Sequence, residues 1–139
     1  MKKTAVVYWS GTGNTAAMAD LVLEGMKSAG ADAVAMECGS VTDLSAYDAI
    51  AFGCPAMGSE QLEDSEFEPF FNDVKKKVAG KAVALFGSYG WGGGEWMANW
   101  EAQCKGKGVA LAADSVICEN APDDEALDKC RALGAKLAG

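Results

Sequence analysis

Residues 4–15 read Thr-Ala-Val-Val-Tyr-Trp-Ser-Gly-Thr-Gly-Asn-Thr, so a short apolar run leads directly into a loop of glycines and hydroxyl side chains. The apolar residues that follow recur at the spacing of one helix face: Met18, Leu21, Val22, Met26 and Ala29. A strand, a loop of small residues and a helix N-terminus together favour an anion, because backbone N–H groups and the helix dipole attract negative charge. The loop contains no Lys or Arg, so the sequence predicts a phosphate held by neutral donors.

Apolar runs rich in β-branched residues alternate with helical patterns along the rest of the chain. The predicted strands are 4–9, 33–36, 49–54, 82–87 and 109–112, with 116–118 as the second half of the last. Three later helices are predicted from apolar faces at Phe67, Phe70, Phe71, Val74 and Val78, at Met97, Trp100 and Cys104, and at Ala126, Cys130, Leu133 and Leu137. Five apolar strands separated by helices predict a doubly wound α/β fold in one domain, residues 1–139. We expect a parallel sheet of order 2-1-3-4-5 covered on both faces.

The composition narrows the classes of partner. The chain has 139 residues, a formal net charge of −8 and no histidine. This charge argues against nucleic acid and anionic membranes as partners. Five acids lie within residues 60–68, a cluster that suits either docking to a basic protein surface or solubility alone. The start of the chain leads directly into a strand, and we expect a cytoplasmic protein without a membrane span.

The five cysteines give no sign of a metal site. They form no C-x-x-C pair, and there is no histidine to complete a zinc site. We expect buried free thiols in a reducing compartment. Cys54 differs from the others, because it ends a predicted strand beside the candidate site.

Two further loops follow the predicted strands 3 and 4, at the sheet edge where ligands bind in such folds. Residues 54–60 offer Met57, whose sulfur makes good contacts with aromatic rings, followed by Gly58 and Glu60. Residues 87–95 are rich in glycine around Trp91, which suits stacking on a planar ring. A tryptophan that folds back over the protein's own core is the alternative. Together the three loops predict a mononucleotide with a large aromatic ring.

These loops resemble those of short-chain flavodoxins of the clostridial type. Ser-Gly-Thr-Gly-Asn-Thr at 10–15 is similar to the FMN phosphate loop, Ala-Met-Gly at 56–58 to the loop on one face of the flavin, and Phe-Gly-Ser-Tyr-Gly-Trp-Gly at 86–92 to the loop on the other face. Glu-Phe-Glu-Pro-Phe at 66–70 and Asn-Ala-Pro-Asp at 120–123 are also similar to that family. The resemblance covers essentially the whole chain and implies a flavodoxin-like three-layer fold.

The resemblance also implies a function and a set of site residues. The chain would be a low-potential one-electron carrier that uses the semiquinone/hydroquinone couple of bound FMN in place of ferredoxin. Met57 and Trp91 would flank the ring, Glu60 would accept from flavin N3, and Gly58 would turn its carbonyl toward the reduced flavin. We expect a monomer that docks a basic patch of redox partner proteins near the flavin. The full set of expected FMN contacts is Ser10, Gly11, Thr12, Gly13, Asn14, Thr15, Pro55, Ala56, Met57, Gly58, Ser59, Glu60, Ser88, Tyr89, Gly90, Trp91, Gly92, Gly94 and Asn120.

Other classes of protein share parts of this pattern. An FMN-dependent NAD(P)H:quinone reductase of related fold is the main alternative, but no Lys or Arg lies in the site loops to hold a pyridine nucleotide. The first loop lacks the Gly-Lys-Ser/Thr of a nucleoside triphosphate site, and Ala16 stands where a dinucleotide site has its third glycine. The sequence therefore favours a carrier with no substrate pocket of its own and no metal.

Overall fold

The order of strands in the sheet decides where the three loops meet. The computed structural model describes residues 2–11, 13–41, 43–56, 62–63, 65–75, 77–78, 80–90, 94–109 and 111–139. Its strands are β1 (Lys3–Tyr8), β2 (Asp32–Glu37), β3 (Ala49–Gly53), β4 (Ala82–Tyr89) and β5 (Val116–Glu119). They form one parallel sheet in the order β2-β1-β3-β4-β5, which confirms the predicted order. The order reverses at β1 and β3, so their carboxyl ends border the crevice in which such folds bind ligands.

Within the described residues, four α-helices cover the two faces of this sheet. They are α1 (Asn14–Ser28), α2 (Phe67–Val74), α3 (Glu95–Gly106) and α4 (Asp124–Ala138). Alternate residues of β1 point to opposite faces, so Val6 packs with α1 and α4 while Ala5 and Val7 pack with α2 and α3. The central strand β3 is buried along its whole length, as expected for a strand between two helical layers.

The helical faces follow the predicted periodicity, with differences at the helix ends. Ala29 is exposed and lies just beyond α1, because the helix ends at Ser28 and the left-handed Gly30 (φ 91°) follows. Val78 is buried but lies beyond α2, and Phe70 is only half-buried. The predicted faces of α3 and α4 are buried as expected.

The last predicted strand is confirmed only in its second half, 116–118, which lies in β5 (Val116–Glu119). Residues 109–112 form no described strand; Leu111 makes only an isolated bridge to Val83, and the regular pairing starts at Val116, opposite Phe86. Three positions separate Val83 from Phe86, whereas five separate Leu111 from Val116. The two extra residues interrupt the ladder, so the apolar run at 109–112 packs beside the sheet without extending it.

Glu63 holds the start of α2 in place. This side chain is 4 % exposed, and its carboxylate accepts hydrogen bonds from the N–H groups of Ser65 (2.9 Å), Glu66 (2.7 Å) and Phe67 (3.0 Å) and from the Ser65 hydroxyl. Burial raises the pKa of this carboxyl, but the hydrogen bonds outweigh burial and lower the pKa to about 2. Glu63 is therefore a buried side chain that caps the N-terminus of α2.

We expect Glu63→Gln to lower the free energy of unfolding by about 2 kcal/mol at neutral pH, because an amide replaces a buried carboxylate that accepts several hydrogen bonds. The pKa of Glu63 falls from an ordinary 4.5 to about 2 on folding, so its stabilisation is present above pH 4.5 and is lost as the pH falls toward 2. In urea unfolding, the difference in free energy of unfolding between wild type and variant should shrink as the pH falls from 4.5 toward 2. Glu66→Gln is the control, since Glu66 is exposed and its loss should cost under about 0.5 kcal/mol. A difference in free energy of unfolding that does not change with pH would contradict this role of Glu63.

Candidate functional site

The loop after β1 is shaped by the Ser10 side chain. Its hydroxyl oxygen accepts hydrogen bonds from the backbone N–H groups of Gly13 (3.1 Å) and Ala16 (3.2 Å). Gly13 is the N-cap of α1 with φ 97°, a conformation that glycine adopts at little cost. Because the Ser10 oxygen already accepts two hydrogen bonds, its own O–H proton is left to donate.

The first turn of α1 presents donors at the same place. Within the part of the chain that the structure describes, the N–H groups of Asn14 and Thr15 have no acceptor. Free N–H groups at the start of a 15-residue helix form a site of positive potential. The indole of Trp9 lies over Gly11, since a Cβ at Gly11 would stand 2.9 Å from the Trp9 ring. This end of β1 can thus hold an anion beside an aromatic side chain.

The loop after β3 is tied to the end of β4. The N–H of Cys54 donates to the Phe86 carbonyl (3.2 Å), and that of Ala56 donates to the Ser88 carbonyl (2.9 Å). The backbone therefore stays paired beyond Gly53, where β3 ends. Pro55 and Ala56 are half-buried at this edge.

The end of β4 connects all the other parts of the site. The buried hydroxyls of Ser88 and Thr15 lie 3.4 Å apart, which joins β4 to the first turn of α1. The Tyr89 carbonyl accepts from the N–H of Asn120 (2.7 Å), and a Cβ at Gly90 would stand 3.8 Å from the Asn120 side-chain oxygen. The described residues of the three predicted loops and Asn120 thus come together at the carboxyl edge of the sheet.

Part of the predicted site lies outside the described residues. This applies to Thr12, Met57, Gly58, Ser59, Glu60, Trp91 and Gly92. Gly94 is described and is the buried N-cap of α3, with φ 88°. Gly94 turns the chain into α3, and its predicted contact with FMN stays a prediction.

Exposed acids lie on both sides of this edge. On one side, Glu37 and Glu66 line a cavity of about 350 Å³ next to Trp9 and Ser10. On the other side, a cavity of about 290 Å³ is lined by Glu119, Asp123 and Glu125. Tyr89 and Lys129 also line it. In the acidic cluster at 60–68, which suits docking or solubility, Glu63 is no surface charge, because it is buried and bonded to the backbone of α2.

The cysteines are packing residues, as predicted. Four are buried, Cys118 is half-buried and all five are free. Burial raises the pKa of the Cys38 and Cys104 thiols to about 11 and that of Cys130 to about 12, and it also raises the pKa of Cys54. Among the described residues, no three His, Cys, Asp or Glu side chains could hold a metal ion.

Comparison with known proteins identifies the family. The flavodoxin family model matches residues 6–134, and the chain is 48 % identical over 138 residues to the flavodoxin of Megasphaera elsdenii, covering 96 % of both chains. The chain belongs to the flavodoxin family. It is also 45 % identical over 135 residues to the flavodoxin of Clostridium beijerinckii, covering 96 % of this chain and 97 % of the relative. The fold also matches the solution structure of two-electron reduced Megasphaera elsdenii flavodoxin with a TM-score of 0.89. The match covers 97 % of this chain and 98 % of the chain in that structure.

Family membership decides the general function. Flavodoxins bind FMN and transfer electrons between redox proteins, so this chain is an FMN-dependent electron carrier and not an enzyme with its own substrate. The quinone-reductase alternative is thereby set aside. No helix among the described residues is long and apolar enough to cross a membrane.

The sequence did not predict two hydrogen-bonded contacts that support the site. The Trp96 indole N–H donates to the Cys54 carbonyl (3.2 Å), and no pattern in the sequence predicted this contact. The carboxylate of Glu63 fixes the segment that follows the second loop. The Glu63-x-x-Glu66-Phe67 spacing at the start of a helix was the available signal for the second contact, since an acid at such a position can cap free N–H groups.

Proposed function

We propose that the FMN phosphate binds at the loop after β1, and that the isoalloxazine ring lies along the carboxyl ends of β3 and β4. The convergence of hydrogen-bond donors at the start of α1 is the observation that supports this most strongly. The described residues that would hold the cofactor are Ser10, Gly11, Gly13, Asn14, Thr15, Pro55, Ala56, Ser88, Tyr89, Gly90 and Asn120.

The donors fit a phosphate. A dianion needs several N–H or O–H groups, and this site offers the N–H groups of Asn14 and Thr15 and the O–H of Ser10. No Lys or Arg stands in the loop, so the helix dipole and charge-assisted hydrogen bonds replace an ion pair. The phosphate then binds without placing a positive charge beside the flavin.

We infer the contacts to the ring from the sequence of the remaining loop residues. Met57 and Trp91 supply a thioether and an indole for its two faces. Gly58 and Ser59 supply backbone groups, Glu60 an acceptor for the polar edge, and Gly92 room for close approach of the backbone. Thr12 would add a hydroxyl to the phosphate.

Bound FMN supplies the one-electron chemistry, and the chain sets its potential. Exposed acids surround the site, including Glu37, Glu66, Glu119 and Asp123. Each disfavours further negative charge on the cofactor by up to about 1 kcal/mol, less in salt. We therefore infer a low-potential couple.

The same acids suit a docking partner with a basic patch, because opposite charges steer the encounter of two proteins. Glu37 and Glu66 lie next to Trp9 on one side of the site, and Glu119, Asp123 and Glu125 lie on the other. A partner that covers the carboxyl edge would meet negative charge from both sides. We infer a monomeric carrier, and the five free thiols suit the reducing cytoplasm.

Stepwise anaerobic reduction of the FMN-loaded protein tests this function. We expect two separate one-electron steps, the first of which gives long-wavelength absorbance that the second removes. The protein alone should not oxidise NADH or NADPH, since no cationic group in the site loops would hold them. A single two-electron bleaching, or rapid NAD(P)H oxidation, would contradict the proposed couple. Free FMN is the control.

A further inference from the structure

Trp96 lies where the ends of β3, β4 and α3 meet. Its side chain is 1 % exposed, and its indole Nε1–H donates to the Cys54 carbonyl at 3.2 Å. Its ring also packs against that of Tyr89, with centroids 5.5 Å apart and planes at 48°. One side chain of α3 therefore contacts the chain immediately after β3 and the last residue of β4.

This junction has little free space. A Cβ at Gly87 would stand 2.2 Å from the Cys54 carbonyl oxygen and 3.2 Å from Cζ2 of Trp96. Since real Cβ atoms do not approach a backbone oxygen so closely, only glycine permits this arrangement at position 87. The Cys54 carbonyl is thus enclosed between β4 and the Trp96 indole.

We propose that Trp96 is a positioning residue for FMN, which acts by holding the Cys54 carbonyl and so fixing Pro55 and Ala56 against the end of β4. The inference rests on the proposed function, in which both loops line the cofactor. Cys54 precedes Pro55 and Ala56, and the Ala56 N–H is bonded to the Ser88 carbonyl. Trp96 itself does not need to touch the flavin.

The physical basis is preorganisation. A loop that is already fixed in the apoprotein loses less conformational entropy when the ligand binds, so affinity rises without a new contact. Without the indole N–H, the buried Cys54 carbonyl loses a hydrogen bond, and the backbone shifts to recover one. FMN binding would then include the cost of returning the loop to its place.

The chain contains a matched control on the same helix. Trp100 is fully buried, and its Nε1–H has no partner within the described part of the chain. Its ring makes edge contacts with Phe67 (5.3 Å) and Phe71 (5.5 Å). Trp96→Phe and Trp100→Phe thus remove equal side-chain volume from α3, but only the first removes a hydrogen bond to the chain that lines the site.

The test compares the FMN dissociation constants of the two variants, measured by quenching of flavin fluorescence, with urea unfolding of each apoprotein. We expect Trp96→Phe to bind FMN about tenfold more weakly than Trp100→Phe, and to shift the midpoint potential of the bound flavin, while both lose stability. Equal affinities and equal potentials would overturn the inference and leave Trp96 a packing residue. If wild type itself failed to bind FMN, the proposed function would be at fault.

A second pair of variants covers the case in which Trp96→Phe does not fold. Site-specific 3-benzothienylalanine at position 96 keeps the bicyclic shape and replaces the N–H with sulfur. The same residue at position 100 is its control. Weaker FMN binding at position 96 alone supports the positioning role, and unchanged binding at both positions overturns it.

Discussion

Gly134→Ala and Gly25→Ala are each expected to lower the free energy of unfolding by about 2–3 kcal/mol. A Cβ at Gly134 would stand 2.0 Å from the Val22 carbonyl oxygen, and a Cβ at Gly25 would stand 2.0 Å from the Arg131 carbonyl oxygen. The two glycines bring α1 and α4 into backbone contact from both sides. Because the obstructing atoms belong to the backbone, a side-chain rotation cannot relieve the clash, and the helices must separate over the core that contains Met18.

Urea unfolding of the apoproteins measures this effect, and Gly106→Ala is the control. Gly106 is the last residue of α3, and a Cβ there would have no heavy atom within 4 Å. The same substitution should therefore leave stability unchanged or raise it by up to about 1 kcal/mol through helix propensity. Equal free energies of unfolding for Gly134→Ala and Gly106→Ala would contradict the close backbone contact between α1 and α4.

Ser10→Ala is expected to weaken FMN binding about tenfold to a hundredfold. In the proposed site, the substitution removes an O–H donor to the phosphate, and it also removes the acceptor for the N–H groups of Gly13 and Ala16. The loop then loses both a ligand contact and the hydrogen bonds that shape it. Flavin fluorescence during titration of the apoprotein gives the dissociation constant.

Two controls make this prediction specific. Ser45→Ala removes an exposed hydroxyl that bonds Asp43 (2.7 Å) before β3 begins, at the opposite end of the sheet, and should leave FMN affinity unchanged. Riboflavin has the same ring without the phosphate, so its affinity should change little in Ser10→Ala. Equal losses for FMN and riboflavin would show that Ser10 does not act through the phosphate.

The central features of the fold were predictable because each depends on local pattern. β3 is apolar at every position and is buried on both faces, and the glycines and hydroxyls at 10–15 run from the end of a strand into the first turn of a helix. Parallel pairing brings the ends of such strands to one edge, so the sequence alone was enough to predict that Thr15 and Ser88 lie at the same edge. The assignment of residues 1–139 to one domain stays a prediction.

The features that were missed have two causes: local composition that misleads, and contacts between residues far apart in sequence. The apolar run at 109–112 has the composition of a strand, but two extra residues before Val116 break its pairing with β4. Glu63 belongs to an acidic segment typical of solvent-exposed chain, yet its carboxylate finds free N–H groups at the start of α2. Contacts such as Trp96 with Cys54, or Gly25 with α4, join residues far apart in sequence, and no local pattern indicates them.

Most of the specificity for FMN is expected to come from binding of its phosphate at the start of α1. The most direct test is titration of the wild-type apoprotein with FMN and with riboflavin under the same conditions. Several charge-assisted hydrogen bonds predict that FMN binds at least about a hundredfold more tightly. Equal affinity for the two flavins would contradict the assignment of the anion site to Ser10, Asn14 and Thr15.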